Sequence, residues 1–207
     1  MIELYTAPTF NGQRASIMLE ETGLSYVAHR VELALHEQKK PEFLQLNPSG
    51  RIPVLVDYDN GEKEPFVLTQ SVAIVQYLAE KTGCLLPVSL KERTRVYEWT
   101  QFHAVDIGSP LFVAFYLKRL CSPRQFEAAQ RVDERTLDLY RHFDERLAEQ
   151  EFLAGSEYSI ADVVALPAAL AQQDRLTRYA NLSRWISQLK QRPAVQRGMA
   201  VPVGAVA

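Results

Sequence analysis

The run Ile52-Pro53-Val54-Leu55-Val56, followed by Asp59-Asn60-Gly61 and then Phe66-Val67-Leu68, constrains this chain more than any other feature. A short apolar run bounded by a turn signal reads as a buried strand, and Asp-Asn-Gly supplies the residues a tight hairpin needs. The two strands are therefore expected to be antiparallel. Upstream the pattern differs. Ile2–Thr6 alternates apolar and polar residues as a strand does. Ala15, Met18, Leu19 and Thr22 then recur at helical spacing before Gly23, a natural C-cap. Residues 25–33 read as a second strand, from Tyr26 to Leu33. After a charged stretch, His36 to Lys40, a short helix opens near Pro41 and carries Phe43, Leu44 and Leu46. Ser71 to Lys81 reads as a helix with Val72, Val75, Leu78 and Ala79 on one face, ended by Gly83.

A helix between the first two strands permits a parallel pair through a right-handed crossover, and the hairpin adds an antiparallel edge. The order β-α-β-α-β-β-α over residues 1–82 is that of an α+β thioredoxin-like domain. Residues 83–90, with Pro87, read as a linker. Residues 91–207 read as an all-helical domain. It has one helix from about Lys91 to Leu120, kinked near Gly108-Ser109-Pro110. A second runs from about Pro123 to Glu149, with Phe126, Ala129, Val132, Thr136, Leu139, Tyr140, Phe143 and Leu147 as its stripe. Ser159 to Asp162 has capping-box spacing before an apolar run. Leu182, Trp185, Ile186 and Leu189 mark a last helix, and residues 201–207 a tail.

The 207 residues, 47% of them hydrophobic, suffice for a sizeable core. The net charge is −2 with no long basic run, so no nucleic-acid partner is expected. Two cysteines, Cys84 and Cys121, fit neither a disulfide framework nor a Cys-x-x-Cys pair. The chain enters a strand at once, with Glu3 inside it, which is unlike a signal peptide, and no apolar run nears the ~20 residues of a membrane span. These features point to a soluble, cytoplasmic protein without membrane contact.

Three polar spots carry candidate chemistry, and each has a plain structural reading beside it. Thr9-Phe10-Asn11-Gly12 is a turn that caps the first helix, with Asn11 expected at the N-cap. The same hydroxyl, amide and helix N-terminal N–H groups would also stabilise a thiolate. Gln70-Ser71 is a helix N-terminus, which caps a helix and equally attracts a carboxylate. At Ile52-Pro53 a trans bond is the default. A cis bond would turn the Ile52 N–H and C=O outward, where an extended peptide can pair with them. Tyr5 is expected buried or paired, and His103 is expected in the core or an interface rather than as a base. No His, Cys, Asp or Glu grouping has metal-ligand spacing, so no metal is expected.

Asn47-Pro-Ser-Gly-Arg-Ile-Pro-Val-Leu55, followed by Thr69-Gln-Ser-Val-Ala-Ile-Val-Gln-Tyr-Leu-Ala79, resembles the glutathione S-transferase pattern in order and separation. The resemblance extends over the whole chain. It implies a cis-proline at Pro53, with Ile52 pairing the cysteinyl part of glutathione. It implies that Gln70 and Ser71 hold the γ-glutamyl end, and Gln38 the glycine carboxylate, aided by Lys39 and Arg51. Thr9-Phe10-Asn11 is similar to the Thr-x-Asn segment of the bacterial Nu class and of fungal Ure2-like proteins. That likeness implies glutathione as co-substrate, its thiol activated by Thr9 and Asn11. The second substrate would be a small electrophile, in a detoxifying transfer, or a small or glutathionylated disulfide. Phe112, Phe115 and Tyr116 would form the second-substrate wall, and the protein would be a homodimer. A rival reading is a catalytically silent module of the same fold used for dimerisation or protein interaction. The filled glutathione positions count against it.

Overall fold

The computed structural model describes residues 1–202. Residues 203–207 of the expected tail lie outside the described residues, while Val201 and Pro202 are buried. The described residues form two compact units, Met1–Cys84 together with residues 190–202, and Leu85–Leu189.

The first unit holds a four-stranded mixed sheet, order β2-β1-β3-β4. Its strands are β1 (Ile2–Thr6), β2 (Tyr26–Arg30), β3 (Val54–Asp57) and β4 (Phe66–Thr69). β1 runs parallel to β2, with Ile2 opposite Tyr26, and antiparallel to β3, with Leu4 opposite Leu55. β4 pairs antiparallel to β3, with Leu55 opposite Leu68. This is the expected thioredoxin-like arrangement. One face of the sheet is covered by α1 (Phe10–Thr22) and α3 (Ser71–Thr82). Leu4, Leu55, Ile17, Met18, Leu19, Ile74 and Leu78 are fully buried there, each contributing roughly 1.5–3 kcal/mol of burial. On the other face α2 (Pro41–Leu46) brings Phe43 against Val31 and Val54, with Tyr5, Leu33, Leu46 and Ile52 packed around them.

Three expectations need adjustment. β2 ends at Arg30, and Leu33 lies in a 3-10 turn, Leu33–Leu35, followed by another, Glu37–Lys39. The β3–β4 connection spans residues 58–65 rather than a two-residue turn. There the Asn60 side chain donates to the Asp57 and Glu64 carbonyls, at 3.1 and 3.0 Å. An added helix, α9 (Pro193–Ala200), packs on α1, so residues 190–202 group with the sheet and not with the helical part.

The second unit contains α4 (Leu90–Phe102), α5 (Ser109–Arg119), α6 (Phe126–Glu149), α7 (Ile160–Ala171) and α8 (Ala180–Lys190). The expected long helix is interrupted by a π-helical turn, His103–Gly108. Pro110 has no N–H for a helical bond, and the Ser109 hydroxyl instead reaches back to the Ala104 carbonyl at 2.9 Å. α7 is buried along Ile160–Ala169 and is capped by the expected box. Tyr140, Phe143, Leu153 and Trp185 fill the core around it. Phe126, expected on the apolar stripe of α6, is 62% exposed. It stands at the helix N-terminus, before the first buried turn. His103 is buried and stacks on Phe143, a core histidine as expected.

Candidate functional site

The site begins where β1 turns into α1. Thr9, in extended conformation, is the N-cap, and its Oγ accepts from the Gly12 N–H at 3.2 Å. Asn11, the expected cap, instead lies inside the first turn. Gly12 decides the register. A Cβ there would sit 2.2 Å from the Ala7 carbonyl oxygen and 2.4 Å from Thr6 Oγ1. Only glycine lets the loop close this tightly on the helix, with the Thr9 N–H bonded to Ala7 O at 2.7 Å. Having accepted one bond, the Thr9 hydroxyl retains its own proton to donate.

Asn11 connects this turn to the second polar spot. Its Oδ1 accepts from Arg14 Nη1 at 2.6 Å and from the Ser71 hydroxyl at 3.3 Å. Arg14 Nη1 also donates to Ser71 Oγ at 3.2 Å. Thr9, Asn11 and Ser71 are thus brought together, and Arg14, which sequence reasoning missed, lies between them. The signal was helical spacing: Asn11, Arg14 and Met18 share the inward face of α1.

Ser71 is the first residue of α3 and is buried. Gln70 before it is exposed and holds φ 71°, ψ 112°. A positive φ costs a non-glycine residue of order 1–3 kcal/mol and is characteristic of sites where the backbone must present itself in one way. Neither α1 nor α3 carries an acidic residue in its first turn. The positive ends of both helices are therefore available to an anion.

The third spot is the turn before β3. Asn47 is buried, donates through Nδ2 to the Arg51 carbonyl at 2.6 Å, and accepts from Ser49 N and Oγ at 3.1 and 2.8 Å. Gly50, at φ 59°, faces the Gln38 carbonyl, which would lie 2.8 Å from a Cβ. Gln38 is thereby set against this turn, and Lys39 Nζ donates to Ser49 O at 3.2 Å. Gln38 Oε1 is buried with no hydrogen-bond partner among the described residues. Arg51 is exposed. The Ile52-Pro53 bond is cis, as the resemblance implies. Among the described residues, none bonds the Ile52 N–H or C=O. Because Val54 pairs with Thr69, Ile52-Pro53 and Gln70-Ser71 flank neighbouring strand ends.

Phe112, Phe115 and Tyr116 lie on α5, in the other unit, 37%, 50% and 46% exposed. Tyr5 donates a hydrogen bond to Glu3 through its hydroxyl. Burial and the Glu3 carboxylate, which accepts its hydroxyl at 2.9 Å, push its phenol up to about 12. Cys84 and Cys121 are both free. Among the described residues no group of three His, Cys, Asp or Glu is placed to hold a metal ion, and no helix is long and apolar enough to cross a membrane.

Comparison with known proteins finds matches in both parts of the chain. Residues 11–81 match the family described as glutathione S-transferase, N-terminal domain, and residues 105–193 match glutathione S-transferase, C-terminal domain. The disulfide-bond oxidoreductase YfcG of Escherichia coli (strain K12) is 34% identical over 203 residues, covering 96% of this chain and 94% of that protein. A glutathione transferase from Burkholderia graminis, solved with two glutathione molecules per subunit, superposes with a TM-score of 0.89 at 31% identity, over 98% of this chain and 89% of that one. One from Pseudomonas putida, solved with a glutathione disulfide per subunit, gives 0.88 at 31%, over 97% and 91%. Two helix N-termini joined through Asn11 and Ser71, a cis Ile52-Pro53 beside them and matches in both halves lead to one conclusion: this chain belongs to the glutathione S-transferase family.

Proposed function

We propose that the chain is a glutathione-dependent enzyme that reduces small or glutathionylated disulfides and also transfers glutathione to electrophilic carbon. The observation that carries this reading is the convergence of the Thr9 hydroxyl, the Asn11 amide and Ser71 at two helix N-termini that bear no acid. Thr9 Oγ and Asn11 Nδ2 donate to the glutathione sulfur and favour its thiolate, releasing the thiol proton to solvent. The Ser71 N–H and hydroxyl, with Gln70, take the γ-glutamyl end. The Ile52 main chain takes the cysteinyl amide, and Gln38, with Lys39 and Arg51, takes the glycine carboxylate. The thiolate then attacks one sulfur of a disulfide, forms a mixed disulfide and expels the other sulfur as thiolate. A second glutathione resolves the mixed disulfide, so glutathione is the reductant and leaves as its disulfide. With an electrophilic carbon the same thiolate forms a thioether, and the leaving group departs with its electron pair.

No cysteine stands at residues 7–14, so the enzyme borrows the substrate's thiol. The disulfide preference draws support from the relative named a disulfide-bond oxidoreductase and from Thr9-Phe10-Asn11, which resembles the Thr-x-Asn segment of the Nu class. The exposed aromatics Phe112, Phe115 and Tyr116 supply apolar surface for the second substrate. A cytoplasmic homodimer completes the reading. The test is retention on immobilised glutathione, followed by assay with chlorodinitrobenzene and with hydroxyethyl disulfide. Retention and turnover of the disulfide are expected; failure of retention together with silence in both assays would sink the reading.

A further inference from the structure

We propose that Arg14 is the positioning residue of the thiol-activating site, an inference that rests on the glutathione reading above. Arg14 is only 4% exposed. Its Nη1 bonds Asn11 Oδ1 at 2.6 Å and Ser71 Oγ at 3.2 Å, and its guanidinium carbon stands 5.4 Å from the centroid of the Phe10 ring. A guanidinium can only donate. Asn11 must therefore offer Arg14 its oxygen, which leaves Nδ2 on the far side of the amide to donate to the glutathione sulfur. Without Arg14 the amide oxygen keeps only the longer bond from the Ser71 hydroxyl, at 3.3 Å, in place of the short 2.6 Å bond that fixes which end of the amide faces inward. The same Nη1 holds Ser71, so the group that receives the γ-glutamyl end and the group that activates the sulfur are tied to one buried fork. The charge adds to this effect. A cation shielded from water is screened less than a surface one, and it lies one side chain behind the point where thiolate charge develops.

The experiment titrates the thiolate absorbance of bound glutathione in the wild type, Arg14→Met, Asn11→Ala and the double variant, with glutathione affinity measured alongside. In Arg14→Met the thiol pKa is expected to rise by about one unit, a tenfold loss of thiolate at neutral pH. Arg14→Lys, which keeps the charge without the planar fork, is expected to fall between. On the Asn11→Ala background the Arg14→Met shift is expected to shrink, because Arg14 acts through Asn11. An unchanged thiol pKa in an Arg14→Met protein that still binds glutathione would overturn the proposal alone, as would fully additive shifts. A wild-type protein that binds no glutathione would overturn both the proposal and the reading beneath it. Should the variants not fold, a crystal structure of the wild type with glutathione decides. Asn11 Oδ1 on Arg14 with Nδ2 on the sulfur supports the role; Asn11 turned away from Arg14 overturns it.

Discussion

Thr9 has two duties that different substitutions separate. Its oxygen caps α1 through Gly12, and its proton is the one proposed to reach the sulfur. Thr9→Ser keeps both and is expected to be near-native in stability and thiol pKa. Thr9→Ala is expected to cost ~1 kcal/mol of stability as a lost cap and also to raise the bound thiol's pKa. Chemical denaturation and thiolate titration measure the two effects. If Thr9→Ala loses stability with no change at the thiol, the hydroxyl caps the helix and does nothing more. The chemistry of this spot was legible in Thr9-Phe10-Asn11 as residue types. Its register was not, because threonine and asparagine both cap helices well and the deciding contact, Gly12 against Ala7, lies in three dimensions. Arg14 was hidden for a related reason. An arginine on a short helix reads as a solvated side chain, and only the polar partners on α1 and α3 make a buried one tolerable.

The element that carries Thr9, Asn11 and Arg14 is itself held by α9. Ser16 Oγ donates to the Gly198 carbonyl at 2.7 Å, and Arg192 forms a two-pronged pair with Glu21, at 2.8 Å for each bond. At Gly198 a Cβ would fall 2.5 Å from Ile17 Cα, a backbone atom that cannot move aside cheaply. Gly198→Ala is therefore expected to push α9 off α1 and to cost about 1–3 kcal/mol, the usual range for overpacking. At roughly 2–4 °C per kcal/mol for a chain of this size, scanning calorimetry resolves it. Gly155→Ala, whose Cβ would meet nothing within 4 Å, is the matched control; equal melting points for the two variants would dispose of the argument. The strands, α1, α3 and the capping box were readable because apolar periodicity and end signals agreed. α9 was not read, since Arg192-Pro193 looks like a chain breaker although proline suits the first helical turn. The π-helical turn left a trace only in Pro110, placed just after the irregularity that it marks.

Across the whole molecule the two units carry buried carboxylates that respond to acid with opposite sign. In the sheet unit, burial would raise the Asp57 carboxyl. Lys81 at 2.6 Å, the Tyr77 hydroxyl at 2.7 Å and the Asp59 N–H override it and hold the group below the usual carboxylate range. The unfolded chain binds the proton more readily, so this contribution is present above the ordinary carboxylate pKa and is lost as pH falls through the lowered one. In the helical unit, burial pushes Asp162 up to about 6, against the pull of donors from Leu153, Ser159 and Trp185. Between the ordinary carboxylate range and about pH 6 the folded state keeps a proton that the unfolded chain has lost, so the Asp162 contribution falls as pH rises across that window. The change is on the order of 3 kcal/mol, from a shift of about two units at about 1.4 kcal/mol each. Trp99 and Trp185, the only tryptophans, both lie in the helical unit, so urea unfolding followed by their fluorescence reports that unit. The wild type is expected to lose stability more steeply than Asp162→Asn between pH 4 and 6. The variant should be weaker throughout, because the amide nitrogen then faces N–H groups that only donate, Ser159 N on one side of the carboxyl position or Leu153 N and Trp185 Nε1 on the other. Parallel slopes in the two proteins would mean that Asp162 stays ionised across the window, held by its donors despite complete burial.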